Sequence, residues 1–574
     1  MKRTLKSSVL ARIEFNSDTS YHGFMKKGYR TIANLQINKD PKKWPTDYSY
    51  FTPLFKAIKN TKYTRKLDLT KLGLCSISRY LPKILCFAKR MSRANSIKIL
   101  DLKRSQSNFR GISEYWAKYT KRVEKFMYRF VTTRIDRDRD RNQVSPNALT
   151  NCSKFLHLLR YQPCVKDLTI KFAFGDHILS EKYWIFKNYP ATLERLTLKN
   201  PIFLNHPLFL NHLSNLKHLE IGFSKISRSN TPVPVLPFLS SISSHLQSLS
   251  LDLNGIEQSS DKPNFAVLKS LDHLKRLNLK LQFFKQRDLA NVLKQFTESS
   301  INHLTLTIFL HSEKQLIHIS NFIKSLTHLH FLKLDVSWRG ITPKPHKIKD
   351  VLKQAKNLSL LTSLAISFTS RSSKQEPYQE FTPSLNKIIN NAIPLTCFKV
   401  EFRPVNLSNK GLMKLLKSLQ HHASTLIKIK IHIGEYKMNQ SEVKKVLDFL
   451  KSFKNIRCLR LESLMITNKA FLVGFIDVIY GMPFIRTLSL GQITFNDELF
   501  LNHSLKRILE KRGLRKFNCQ VSNRSQDGLD PFYEQINIPE IMKKKNPHLK
   551  IVPQIDCFND LPSGVRYWKG NPFW

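Results

Sequence analysis

The side chains of this chain best placed to do chemistry are cationic rather than nucleophilic. Lys118, Arg122, Lys125 and Arg129 recur every three or four residues in EYWAKYTKRVEKFMYRFVTT, the segment that begins at Glu114. Read as a helix, this spacing gathers the four into one stripe, with Trp116, Tyr119, Val123, Phe126, Met127 and Phe130 on another face. Such a stripe can neutralise phosphates or another anionic surface. The plainer reading is an amphipathic helix packed through its aromatics, its Lys and Arg simply solvated. Nucleophilic and phosphate-cradling patterns are missing. There is no G-x-x-x-x-G-K-[ST], no G-x-G-x-x-G, no G-x-S-x-G and no H-E-x-x-H, and Gly is scarce at 17 residues. The one adjacent histidine pair, His421-His422, lies near an expected helix end without Cys or carboxylate partners at metal spacing, which points to a surface or capping role. The expectation is a protein that is not an enzyme and uses no cofactor or metal.

Charge sets the class of partner. The chain carries 94 Lys+Arg against 42 Asp+Glu, a formal net charge of +52 in 574 residues. Residues 1–150 hold 34 of the basic side chains and 11 of the acidic ones, so the excess is densest at the front. A field of that sign attracts polyanions within a Debye length of about 8 Å at physiological salt and opposes self-association. The partners expected are an acidic protein, a nucleic acid with RNA ahead of DNA, or both, within a larger complex. The alternating run Arg134–Arg141 cancels most of its own field and reads as a solvated linker.

The elements that must position these charges are legible from a repeat. A segment of the form Leu-x-x-Leu-x-Leu occurs thirteen times from Val165 to Cys519, about every 29 residues. VKDLTI from Val165, LQSLSL from Leu246, LKRLNL from Leu274 and IRTLSL from Ile485 are examples. Apolar residues stand at i, i+3 and i+5, and the last two share one side of an extended strand. Between them lie segments of helical period, among them those from Asn409, Ser441 and Asn468. One strand alternating with one helix cannot bury both apolar faces alone, so the units must stack.

These residues resemble the leucine-rich repeat family, and the spacing is most similar to its ribonuclease-inhibitor-like branch. The resemblance implies an α/β solenoid, a horseshoe with a parallel sheet on the concave side and helices on the convex side. It departs from the family at i+8, where only Asn254 supplies the usual amide, and in a spacing that ranges from 23 to 34 residues.

The expected organisation is a basic segment over 1–60, an irregular N-terminal capping region over 61–160 with divergent repeats and a basic helical insertion, the solenoid over 161–522 and a C-terminal cap and tail over 523–574. KLDL from Lys66 and IKILDL from Ile97 read as two further strands, and the 68 residues from Ile97 to Val165 as an interval holding the insertion. Stretches 228–237, 342–346 and 370–378 carry proline and read as protruding loops, and Tyr567, Trp568, Phe573 and Trp574 as cap packing.

Positions i+2 and i+4 should face outward on the concave side. The i+4 set comprises Thr197, Glu220, Ser250, Asn278, Thr305, Lys333, Lys399, Lys430, Arg460 and Ser489, and its basic members Lys399, Lys430 and Arg460 are the candidate partner-binding residues. The function expected is a non-catalytic scaffold that holds protein and polyanionic partners, with a ribonucleoprotein assembly as the setting. The alternative is an intracellular substrate adaptor or regulatory scaffold of the F-box ubiquitin-ligase type that binds an acidic protein on the concave face, although residues 1–60 show no convincing F-box. No transmembrane segment is expected. Cysteine usage fits an intracellular compartment, cytoplasmic or nuclear, while the first fifteen residues weakly resemble a mitochondrial presequence.

Overall fold

A computed structural model of the chain describes residues 13–14, 31–38, 63–68, 96–100, 125–130, 164–172, 191–199, 213–222, 245–253, 265–281, 286–297, 299–338, 341, 343–370, 381–403, 409–433, 440–461, 466–494, 498–511, 513–522 and 550–551. The chain divides into two compact units, Met1–His311 and Ser312–Trp574. The division falls inside the stretch that the sequence reads as one solenoid. Asn254, the loop at 228–237 and the tail aromatics lie outside the described residues.

Unit 1 is a parallel sheet. Its strands are β1 (Ile13–Glu14), β2 (Thr31–Asn38), β3 (Tyr63–Asp68), β4 (Ser96–Leu100), β5 (Lys125–Phe130), β6 (Asp167–Phe172), β7 (Arg195–Lys199), β8 (His218–Gly222), β9 (Ser248–Asp252), β10 (Arg276–Leu281) and β11 (His303–Leu310). Each pairs in parallel with the next, and the i+3 residues Leu168, Leu196, Leu219, Leu249, Leu277 and Leu304 fall in one register row. The row is buried. Alternation is the cause: in β8 and β9 every second residue is buried, as a pleated strand with one covered face requires.

Strand β5 corrects the sequence reading. Lys125–Phe130 is extended rather than helical and pairs with β4 and β6. Val123, Phe126 and Tyr128 repeat the i, i+3, i+5 signature with aromatics in place of leucine. Phe126 aligns with Ile97 on one side and Leu168 on the other. Phe, Tyr and Met at period two favour a strand, and that local preference defeats the helical period of the preceding residues. The long interval after Ile97 therefore contains a further strand.

Unit 2 alternates helix and strand. Helices α2 (Gln315–Ser325), α3 (Pro345–Ala355), α4 (Thr382–Asn391), α5 (Asn409–Gln420), α6 (Gln440–Ser452), α7 (Lys469–Tyr480) and α8 (Glu498–Glu510) interleave with β12 (Phe331–Trp338), β13 (Ser363–Ser370), β14 (Cys397–Arg403), β15 (Lys428–Ile433), β16 (Cys458–Leu461), β17 (Thr487–Thr494) and β18 (Lys516–Ser522), after which comes β19 (Lys550–Ile551). Among the described residues of unit 1 one α-helix stands, α1 (Gln286–Lys294). Parallel strands need a crossover, and here helices supply it. Each helix turns a stripe inward, as in α3, where Ile348, Val351, Leu352 and Ala355 are buried. The proline expected to mark a loop at 342–346 instead opens α3: Pro345 occupies the first turn, where a missing N–H costs nothing. Helix α7 starts at Asn468, whose side chain accepts from the Phe471 N–H at 3.1 Å. No helix among the described residues is long and apolar enough to cross a membrane.

All thirteen repeats from Val165 to Cys519 supply strands. What joins them at the turn is not the missing amide at i+8 but a ladder at the N-terminal end of the strands. Residues just before the repeat's first leucine donate to the preceding repeat: Thr192 Oγ1 to the Val165 carbonyl at 3.0 Å, Asn215 Nδ2 to that of Ala191 at 2.9 Å, Thr425 Oγ1 to that of Leu395 at 2.8 Å and Asn455 Nδ2 to that of Ser424 at 2.6 Å. Backbone groups reinforce it. The i+1 carbonyl of one repeat accepts two consecutive N–H groups of the next, as Lys217 does from Gln247 and Ser248, and Thr362 from Thr396 and Cys397. Backbone polar groups that leave the strand ladder are thus satisfied without an asparagine column.

Candidate binding face

The face of the sheet away from the helices is built from the residues between the buried ones, and register decides which of them meet. In unit 2 the i+4 row runs Lys333, Ala365, Lys399, Lys430, Arg460, Ser489, Asn518. Lys399, Lys430 and Arg460 thus stand on three successive strands. Neighbouring strands lie about 4.8 Å apart, so the three cations form one short array. They are not simply solvated. Lys399 retains 25% of its side-chain exposure and Lys430 only 14%, because side chains on adjacent parallel strands shield one another. The small members of the row are shielded further: Thr197 in unit 1 and Ser489 in unit 2 are buried, and each hydrogen-bonds its neighbour in the row, Glu220 and Asn518.

A carboxylate sits within the array. Glu401 Oε2 lies 3.2 Å from Lys399 Nζ and 3.7 Å from Lys430 Nζ. Asp335 belongs to the same i+6 row, which continues through Ser367 and Glu401 to His432. Burial holds Asp335 above the ordinary carboxylate range and nearby Glu401 adds to this, while Lys399, Lys333 and a hydrogen bond with Ser367 oppose it. One row over, Lys428 aligns with Cys397 on one side and Cys458 on the other. Burial first, then Arg460 and Lys399, hold Lys428 below the usual lysine range, and the two cysteines pull the other way. Burial also pushes the Cys397 thiol up, and Cys519 is pushed up to about 12. A thiol so shifted carries little thiolate at neutral pH and is a poor nucleophile. The face therefore offers half-buried cations, two carboxylates and, at Cys397, a thiol that is a poor nucleophile.

The other predicted set is divided. Lys118 and Arg122 lie outside the described residues, while Lys125 and Arg129 stand on β5, in register with Asp167 and Lys171. They are strand neighbours, not turns of one helix. His422, expected at a surface or cap, is buried: its Nδ1 accepts from the Leu395 N–H at 3.3 Å and its Nε2 donates to the Ile389 carbonyl at 2.9 Å, tying the end of α4 to the next repeat. Its neighbour His421 stays exposed.

Sequence reasoning passed over the i+2 row of unit 1, where Arg195, His218, Ser248, Arg276 and His303 align. The signal was present as Arg or His two residues after the first apolar position of four repeats. Burial, then Arg195 and Arg276, lower the His218 pKa, with Glu194 opposing; burial and Arg276 lower that of His303. Unfolding frees both to take protons at their ordinary value near 6.5. The stability these groups supply is present above that value and is lost as pH falls through the lower folded values. Melting temperature should therefore drop as the pH falls below the ordinary histidine value of 6.5, and a His218→Gln/His303→Gln variant should flatten that drop. An identical slope in the variant would assign the acid sensitivity to other groups.

No protein-family model matches the chain, and no curated protein does. Among solved structures, it is similar to the leucine-rich repeat-containing protein LegL7 from Legionella pneumophila at 17% identity, over 55% of this chain and 96% of that one, with a TM-score of 0.32. The yeast Rad7 and Elc1 complex is similar at 12% identity, over 83% of this chain and 92% of that one, with a TM-score of 0.38. The register of parallel strands, repeat upon repeat, makes the fold an α/β leucine-rich repeat solenoid.

Proposed function

We propose that the chain is a non-catalytic binding scaffold whose repeats hold an acidic protein on the open face of unit 2 while its cationic segments engage nucleic acid, RNA ahead of DNA, in a ribonucleoprotein assembly. The observation that carries this reading is the register array Lys399–Lys430–Arg460. A single exposed lysine gains little from an ion pair, whereas cations already desolvated and aligned have lost most of their entropy and hydration before the partner arrives. Glu401, shared by two of them, keeps the empty array from repelling itself. An incoming carboxylate series would take over its role. The adaptor reading uses the same face and differs in what the bound protein is delivered to.

Neutralisation tests this more cleanly than reversal, since a glutamate at Lys399 or Lys430 would crowd Glu401 and Asp335. The Lys399→Gln/Lys430→Gln/Arg460→Gln variant should bind a poly-glutamate peptide at least about tenfold more weakly than the parent, roughly 1.4 kcal/mol. Its melting temperature should stay within a few degrees. Equal peptide affinity in the folded variant would remove the array as the partner site.

A further inference from the structure

Unit 1 segregates its charges along the strands. At their C-terminal halves, Glu220 pairs with Lys199 and Asp252 with Lys280, each at 3.1 Å. At the N-terminal end, Glu194 is shared between Lys166 at 3.6 Å and Lys217 at 3.9 Å. Arg195, Lys275 and Arg276 are exposed there and have no ion-pair partner among the described residues. Lys275, next to Arg276 in the chain, also lines a groove of about 590 Å³ that crosses three successive repeats, together with Asn215, Lys217, His245, Gln247 and His273 among others. The i+2 row that holds both arginines continues by register through Asp167 to Lys125 on β5, and then through Ser96 to Lys66 on β3. Among the described residues the acids at this end are Glu194, Asp167 and Asp272, the last next to His273 in the chain.

We propose that the N-terminal end of the unit 1 sheet is a binding site for the phosphodiester backbone of a nucleic acid, with Arg195 and Arg276 as its principal phosphate contacts. Guanidinium forks match phosphate oxygens, and the Asn and Gln side chains of the groove add neutral donors. Four strand steps from Arg195 to His303 span about 19 Å, room for several phosphates. A protein ligand fits less well. Protein interfaces take most of their affinity from apolar and aromatic anchors, and the six large hydrophobics exposed among the described residues, Ile317, Ile393, Ile427, Val473, Tyr480 and Phe484, all belong to unit 2. Backbone phosphates need no such anchor. The inference rests on the polyanion half of the proposed function and places it on named residues.

The test is fluorescence anisotropy on the full-length chain with a single-stranded RNA of about 25 nucleotides and with RNA and DNA duplexes of similar length, across a salt series. The Arg195→Glu/Arg276→Glu pair is compared with Lys269→Glu/Lys294→Glu, two exposed lysines of unit 1 that stand on helical turns rather than on the strands, which changes net charge equally. The arginine pair should weaken binding at least about tenfold at low salt and reduce the log–log salt slope by about two, while the lysine pair changes affinity less than about twofold. Should reversal lower the melting temperature, Arg195→Gln/Arg276→Gln replaces it, with the same direction expected. Equal losses in both pairs, or none in either, overturn the site and leave the polyanion reading standing. Absence of binding by the parent chain at physiological salt overturns both. Competition by poly-glutamate that depends on the same two arginines would make the ligand an acidic protein and overturn the assignment. The three oligonucleotides separate single strand from duplex and RNA from DNA.

Discussion

Leu249→Asp should unfold unit 1 or leave it insoluble, while Ser248→Asp, one residue earlier, should fold normally. Leu249 is 1% exposed and stands in register between Leu219 and Leu277 in the buried row. Losing the leucine packing alone costs about 2–5 kcal/mol, and placing a polar group there without a partner adds roughly another 2 or more. Against a total stability of about 5–15 kcal/mol for an ordinary domain, that is most of what holds the unit. Stacked repeats lean on their neighbours, so the damage should spread beyond β9. Burial would also raise the new carboxyl's pKa, making the variant more stable in mild acid than at neutral pH relative to the parent. Ser248 lies on the other face, between His218 and Arg276, where a carboxylate meets positive charge. Circular dichroism melts of the two variants decide the matter. A Leu249→Asp protein with the parent's melting temperature would contradict the strand orientation on which every face assignment depends.

The second large effect is expected at Phe402. Its ring stacks on Phe368 with centroids 5.8 Å apart and planes 10° from parallel, and meets Phe381 at 5.4 Å. All three are buried, on β13, on β14 and at the start of α4, so one ring joins two strands to the helix between them. Phe402→Ala should cost about 3–5 kcal/mol, from lost transfer energy and from a cavity that rings on both sides cannot collapse to fill. Phe402→Leu should recover more than half. Urea midpoints at constant slope give the comparison. A loss under about 1 kcal/mol for the alanine variant would mean that β13 and β14 move together to close the gap, and that this part of unit 2 is more plastic than its packing implies. If unit 2 unfolds apart from unit 1, the destabilised transition should be the one that Leu249→Asp leaves untouched.

The open-face array shows where a stability argument and a binding argument diverge. Lys399, Lys430 and Glu401 form ion pairs that are mostly shielded, so neutralising the lysines removes two counter-charges from Glu401. Some stability will be lost for that reason alone. The binding loss is therefore interpretable only beside the variant's melting temperature. The N-terminal end of unit 1 is easier to interrogate, because Arg195 and Arg276 are exposed and make no ion pair among the described residues.

Most of the fold was legible because its signal is local. An apolar residue at i, i+3 and i+5 creates a buried strand face whatever its neighbours are, and thirteen copies leave the stacking little freedom. The strand at Lys125–Phe130 escaped because its signature is written in Phe and Tyr and overlaps a helical period, two local codes competing over one segment. The membership of the Lys399–Lys430–Arg460 array was legible too, being a consequence of register. Three things were decided only in three dimensions. Glu401, from the row beyond, closes on two of its lysines. His422 is drawn inside to join Ile389 and Leu395. In unit 1 the carboxylates Glu220 and Asp252 pair with lysines at one end of the strands and leave arginines unmatched at the other. Each includes contacts between residues of different repeats, such as Lys430 with Glu401, His422 with Ile389 and Lys280 with Asp252, and charge and hydrogen-bonding partners are chosen by distance rather than by sequence order.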